Sequence, residues 1–212
     1  MKKALSILLS LLLVFGTTAF ALTANAEGEP TIVNQGTYDD RIQWTLDSEG
    51  TLTVGGEGSI DSAFRFEILM IGFSSLVIEE GITSILNGVF EYQPIESLTL
   101  PNSLTYLGSN TFSSCRKLKS VTLPDSVLYA TGSTFANCVA LESVTLSRNL
   151  KKIGSGMFQG CTALTSVTIP DSVKAIEYQA FNGCTALTDV VIPDSVEAVG
   201  NKAFFNTPWY DA

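Results

Sequence analysis

Four cysteines, Cys115, Cys138, Cys161 and Cys184, carry the most reactive side chains of this 212-residue chain, and each lies 23 residues from the next. Thiols at such positions could close disulfides, hold a zinc ion or act as nucleophiles. Equal spacing, however, puts them at one place in successive copies of a repeat. Stacked strands would then set them in a line, nearly 5 Å apart on parallel Cα–Cβ vectors, whereas a relaxed disulfide wants about 3.5–4.5 Å between Cβ atoms. Zinc needs four ligands around a point, not along a line. The expected state is a buried column of small free thiols, with four titratable thiols per denatured, unreduced chain.

Other chemistry has little to stand on. The chain has no histidine, which removes His-dependent serine or cysteine triads, H-E-x-x-H zinc sites and imidazole acid–base catalysis. No glycine loop of the phosphate-binding kind occurs, and no cofactor is implied. The pairs Asp39-Asp40 and Glu79-Glu80 offer carboxylates, but neighbours on a strand point to opposite faces, so solvated charges are expected. Paired-carboxylate glycoside hydrolysis needs no histidine, yet the repeat sets no Asp/Glu pair across a cleft. One charged column, Glu80, Asn102, Asp125, Arg148, Asp171 and Asp194, would put Arg148 between Asp125 and Asp171. Asp171 and Asp194 would stack without a cation; calcium could bridge them, but two carboxylates are few for an ion taking about six to eight oxygens. No metal site is assigned.

The elements that position these residues follow from two ladders. The residue ahead of each "V-x-I" core is Ser75, Ser97, Ser120, Ser143, Ser166 and then Asp189; an aromatic recurs as Phe90, Phe112, Phe135, Phe158, Phe181 and Phe204. Both step by 22 once and then by 23. A fixed short period means one supersecondary unit stacked on its copies, each too small to bury its own apolar face. Alternation such as Ser120-Val121-Thr122-Leu123 reads as a strand with one buried face. Each unit then meets a breaker, turns, and returns through a segment too short for more than one helical turn. Strand, turn, return and next strand make a coil whose strands form a parallel sheet.

The chain begins with two lysines, an apolar run over about residues 4–15, and small residues ending Ala24-Asn25-Ala26. That layout is a secretory signal with an A-x-A cleavage site, so residues 1–26 are set aside from the fold. Their removal takes Lys2 and Lys3 and lowers the net charge from −9 to −11. Such an acidic chain offers no footprint for nucleic acid or an anionic membrane. The mature chain is expected to be soluble and exported, secreted or at the cell surface, monomeric, and without membrane insertion once the signal is cleaved.

The pattern "C-x-x-L-x-x-V-x-I-P-x-x-V-x-x-I-G-x-x-A-F-x-x", repeated over residues 75–206, resembles the BspA-like leucine-rich repeat of bacterial secreted and surface proteins. The resemblance implies a right-handed solenoid, mostly β with short helical or 3-10 returns and a parallel sheet on one face, and roles in adhesion or ligand binding. Residues 27–74 would form a small β-rich N-terminal cap, with a hairpin turning at Ser48-Glu49-Gly50 and with Trp44 and "FEILMIGF" (residues 66–73) sealing the first coil. Residues 207–212, with Trp209 and Tyr210, would cap the other end. The copies depart from the pattern at Ala130-Thr131, which replace the usual I-G, and at Leu86 and Glu177, which replace the glycine elsewhere.

A ligand would sit where the copies differ. The sheet face reads Thr99, Thr122, Thr145, Thr168 and Val191, flanked by serines and Asp189; that uniform hydroxyl surface can simply pair across strands. The outward column after the second apolar anchor varies more: Ser84, Tyr106, Tyr129, Lys152, Ala175, Ala198, with Leu128 beside Tyr129. Register would stack Tyr106 next to Tyr129, with Lys152 one step on and the basic cluster Arg116, Lys117 and Lys119 near in sequence. Clustered aromatics with a cation are what binding hot spots are enriched in. These seven residues are the candidate site for an extracellular protein or glycan; the alternative is that the rings lie flat and fill gaps beside Ala130. The functional expectation is a non-catalytic binding or adhesion module, with a structural spacer and a polysaccharide hydrolase as alternatives.

Overall fold

The computed structural model describes residues 30–211; the expected signal and the first cap residues, 27–29, lie outside the described residues. The chain opens with an antiparallel meander, β1 (Ile32–Tyr38), β2 (Ile42–Asp47) and β3 (Thr51–Gly56), whose second turn falls at residues 48–50 as expected. Then come β4 (Gly58–Ile60) and the short helix α1 (Phe64–Ile68). Six coils follow, each with a strand on a first side and a strand on a second, the latter shorter from the second coil on. They are β5 (Ser75–Ile78) and β6 (Ile82–Ile85), β7 (Ser97–Thr99) and β8 (Tyr106–Leu107), β9 (Ser120–Thr122) and β10 (Tyr129–Ala130), β11 (Ser143–Thr145) and β12 (Lys152–Ile153), β13 (Ser166–Thr168) and β14 (Ala175–Ile176), and β15 (Asp189–Val191) and β16 (Ala198–Val199). The chain ends in α2 (Pro208–Asp211).

The fold is a β-solenoid with parallel ladders and little helix, grown onto a mixed N-terminal sheet. Strand β3 pairs antiparallel with β2 on one edge and parallel with β5 on the other. Together with the pairing of β4 with β6 and the contact of the Phe64 ring with Phe90, this makes residues 51–74 a degenerate coil with the same sides as its successors. From β8 on, the second ladder is two residues wide and was not legible as strand in the sequence: two residues are too few for an alternation to register.

The returns are neither α nor 3-10 helix but successive turns. In every coil the residue two before the ladder phenylalanine is left-handed (Gly88, Asn110, Ser133, Gly156, Gln179, Lys202), and so is the residue two after it (Tyr92, Ser114, Asn137, Gly160, Gly183, Asn206). A left-handed residue ends any right-handed helix, which is why none propagates. The backbone thereby turns its N–H groups toward the next coil. Asn110, Phe112 and Ser114 donate to Gly132, Thr134 and Ala136 at 3.1, 2.9 and 2.7 Å, and the same triple recurs between the other coils. The return side is a third hydrogen-bonded ladder, built without strands, and it answers where a return's backbone donors go.

Inside, the phenylalanines from Phe90 to Phe204 stack nearly parallel at 5.2–5.8 Å between centroids. Tyr38 and Phe64 extend the column at one end, and Trp209 closes it at 4.6 Å from Phe204. Tyr210, expected to share that role, is exposed. At the N-terminal end Trp44, Ile68 and Phe73 are buried, but Phe66, Leu69 and Met70 are 75%, 55% and 94% exposed. The expectation that the whole of residues 66–73 seals the first coil is corrected: α1 turns Phe64 and Ile68 inward, four residues apart, and leaves Phe66 on its outer face.

The departures at Leu86, Thr131 and Glu177 also have a structural account. They alternate with Gly108, Gly154 and Gly200, where an added Cβ would meet the backbone of the preceding coil at 2.6–2.8 Å. Where a coil carries a side chain, it reaches back across the glycine before it. Thr131 Oγ1 donates to the Leu107 carbonyl at 3.3 Å, and Glu177 accepts from Ser155 N at 3.0 Å. The glycines stand where the backbone of the preceding coil passes too close for a side chain.

Candidate ligand-binding face

The second side of the solenoid is set by a backbone ladder one residue ahead of each short strand. Thr105 N donates to Thr83 O, Leu128 N to Thr105 O, Lys151 N to Leu128 O, Lys174 N to Lys151 O and Glu197 N to Lys174 O, at 2.8–3.1 Å. This ladder fixes neighbours even where the strand ladder itself stops, between β10 and β12. Tyr106 and Tyr129 are register partners in adjacent coils. Tyr129 is 45% exposed and Tyr106 half-buried, with Leu128 half-buried beside them and Ala130 buried beneath.

Lys152 stands one coil on but is already engaged: its Nζ donates to Glu177 at 2.6 Å. That bond, with the Ser155 hydroxyl, holds the Glu177 carboxyl below the usual range. Lys151 and Lys174, absent from the sequence-based selection, are exposed on the same side. Adding 23 to Leu128 finds Lys151, and adding 23 again finds Lys174; the signal was there, one column beside the tyrosines.

Arg116, Lys117 and Lys119 are not brought to the tyrosines. They lie in the turn leading to β9 on the first side, where Lys119 O accepts from Glu142 N and Lys117 pairs with Glu96 at 2.8 Å. Proximity in sequence failed here because the return carries the chain round to another side of the coil. The carboxylate pairs lie outside the strands, in the turns or at their start. Asp39 and Asp40 are both left-handed, and Asp39 pairs with Arg41. Glu80 accepts from the Asn102 and Ser103 backbone at 2.8 and 2.9 Å, which lowers its pKa. Arg148 bonds Asp125 through its backbone N and side chain, and no bond joins it to Asp171. Among the described residues no group of three or more His, Cys, Asp or Glu side chains is disposed to hold a metal.

All four cysteines are free and buried. Each Sγ donates to the carbonyl of the ladder phenylalanine one coil back, Cys138 to Phe112 at 3.2 Å for example. Burial pushes the Cys138 and Cys184 thiols up to about 12 and raises Cys115 and Cys161 as well. A thiol so buried is a packing group with a weak donor, not a nucleophile.

On the first side the strand ladder is interrupted between β7 and β9 and between β11 and β13. The second gap opens a shallow groove of about 390 Å³ lined by Ser143, Thr145, Arg148, Ser166, Thr168 and Pro170 among others.

The sequence pattern of the BspA type leucine rich repeat region matches this chain in six copies over residues 73–209. The chain belongs to that family. Among solved structures, the BspA-type chain is similar to a leucine rich repeat protein of T. pallidum, at 22% identity and a TM-score of 0.63 over 77% of this chain and 85% of that one. It is similar to a leucine-rich repeat protein of Bacteroides ovatus at 23% identity and 0.55, over 81% of this chain and 57% of that one. A leucine rich cell surface protein of Faecalibacterium prausnitzii matches at 25% identity and 0.44, over 85% and 53%. A comparison with curated proteins finds no match. The first two likenesses speak for the solenoid fold and for no ligand.

Proposed function

We propose that this BspA-type protein is an exported, monomeric, non-catalytic binding module, secreted or held at a bacterial surface, that presents the second side of its solenoid to an extracellular protein or glycan. The observation that carries this reading is the pairing of Tyr106 with Tyr129 in adjacent coils on an exposed side. The first side, by contrast, repeats the same small hydroxyls. Rigid amphipathic rings give contact area at low entropic cost. The N-terminal sequence layout supports export, and among the described residues no helix is long and apolar enough to cross a membrane. The lack of histidine and the engagement of Glu80, Asp125 and Glu177 in bonds between coils support a role without catalysis.

A second reading places the ligand on the first side, and the groove between β11 and β13 favours it. Capture from host matrix extracts and a glycan array, each run with Tyr106→Ser/Tyr129→Ser and with Thr122→Val/Thr145→Val, separates the two. Loss of capture in the tyrosine variant alone supports the first reading. Loss in the threonine variant alone moves the ligand to the hydroxyl side.

A further inference from the structure

We infer that the ligand of the second side is a linear acidic polysaccharide running along the solenoid axis, with sugar rings against Tyr106 and Tyr129 and carboxylates against Lys151 and Lys174. The inference rests on the proposal that this side binds the ligand, and adds what the ligand is. Chemistry changes along the track: Tyr106, Leu128 and Tyr129 occupy two successive coils, and Lys151, Lys152 and Lys174 the next two. Beside Lys174 and in the last coil Ala175 and Ala198 leave the track low, and Glu197 follows Lys174 in the lysine column.

Charge decides the sign of the ligand. In a chain of net charge −9, three cations gather on one short strip. Lys152 is held by Glu177, Lys174 only reaches Glu197 at 3.6 Å with both side chains well exposed, and Lys151 makes no ion pair among the described residues. Two lysines are therefore available to an anion, at modest cost in existing pairs.

Spacing decides between polymers. Coils repeat at about 4.7–4.9 Å, whereas an extended peptide advances about 3.3–3.4 Å per residue and falls out of step after one coil. One pyranose ring of an extended glycan advances close to one coil. A uronate polymer can therefore put successive rings on Tyr106 and Tyr129 and successive carboxylates on Lys151 and Lys174.

The test is biolayer interferometry of the mature chain against the homopolymeric uronates polygalacturonate and polymannuronate and the neutral glucan laminarin, at low and high salt. Binding to at least one acidic polymer is expected, weakened by salt and cut about tenfold or more by Lys151→Glu/Lys174→Glu and by Tyr106→Ser/Tyr129→Ser. All four positions are exposed or half-buried, and circular dichroism checks that the variants fold. No binding to either acidic polymer, or binding that the lysine variant leaves unchanged, overturns the inference. Laminarin binding that needs the tyrosines but ignores the lysines overturns the acidic class and leaves the binding side standing. A captured partner indifferent to the tyrosine variant removes the binding side itself.

Discussion

The return side and the tyrosine side of this solenoid follow opposite rules. On the return, the left-handed columns hold glycine, asparagine, serine, glutamine, lysine and tyrosine, yet the backbone repeats one conformation through all six coils. On the tyrosine side the strand ladder breaks between β10 and β12, while the outward side chains change from hydroxyl to ring to ammonium. In a stacked fold, a backbone that each coil must hand to the next cannot vary. Side chains that point to water can. Function is therefore sought where the side chains vary over a constant frame, not where sequence variation hides a constant frame.

The strongest way to break this contrast is to remove a ladder ring. Phe135 is fully buried and stacks on Phe112 and Phe158 at 5.5 and 5.8 Å. Phe135→Ala should cost about 3–5 kcal/mol, read from urea unfolding. A loss below about 1 kcal/mol would mean that neighbouring coils slide to close the gap, and the column would not be the rigid frame described.

The thiol column gives the next effect, through pH. Burial raises the folded thiols, with Cys138 and Cys184 at about 12, while an unfolded thiol titrates at about 8.5. A raised folded value keeps the stabilisation whole below about pH 8.5 and loses it as pH climbs toward the folded value, because only the unfolded chain releases its protons. The slope is at most about 1.4 kcal/mol per pH unit for each thiol, so near pH 10 each contributes a loss of about 2 kcal/mol. Stability of Cys138→Ala measured at neutral pH and near pH 10 should fall less steeply than that of the parent. Equal slopes would show the thiol already ionised in the fold.

Much of this frame was legible in sequence, and the reasons are local. Period, the phenylalanine ladder and the cysteine column are carried by side chains that must match from coil to coil, so spacing alone revealed them. The left-handed columns were not legible, because Gln179 and Lys202 adopt the same conformation as Gly156: the bonds from the next coil impose it, and no residue type announces it. The candidate site was read in part. Tyr106, Tyr129 and Lys152 share a side because they share a position in the repeat, and Leu128 because it holds the position beside it, while Arg116, Lys117 and Lys119 were grouped by nearness along the chain, which a coil does not preserve.

Those left-handed columns supply a smaller, two-signed test. Gln179 carries a φ of 55° and Gly183 one of 75°. A Cβ on Gly183 would touch nothing closer than 3.9 Å, so Gly183→Ala isolates backbone strain from crowding. It should lose about 1 kcal/mol. Gln179→Gly should gain about 0.5 kcal/mol, strain relief being partly offset by the greater freedom of the unfolded chain. Thermal melts read both. If the two changes share a sign, the columns are not held left-handed in solution.

A small effect is also expected at the pair of residues on which the functional contrast turns. Tyr106→Ser/Tyr129→Ser should cost under about 1 kcal/mol per site, the range that β-propensity alone covers. Tyr129 is 45% exposed, both residues sit on two-residue strands, and the bonds that hold these coils together come from backbone at Thr105, Leu128 and Lys151. Serine keeps every one of those bonds. The alternative, that the rings seal a gap beside Ala130, requires apolar area to be lost when they go, and a sealed ring would cost several times more, in the range expected for Phe135→Ala. Urea unfolding of the double variant beside Phe135→Ala decides between them on one axis. A double variant as destabilised as the phenylalanine variant makes the tyrosines part of the frame, and the side that binds must then be sought among the hydroxyls of the first sheet.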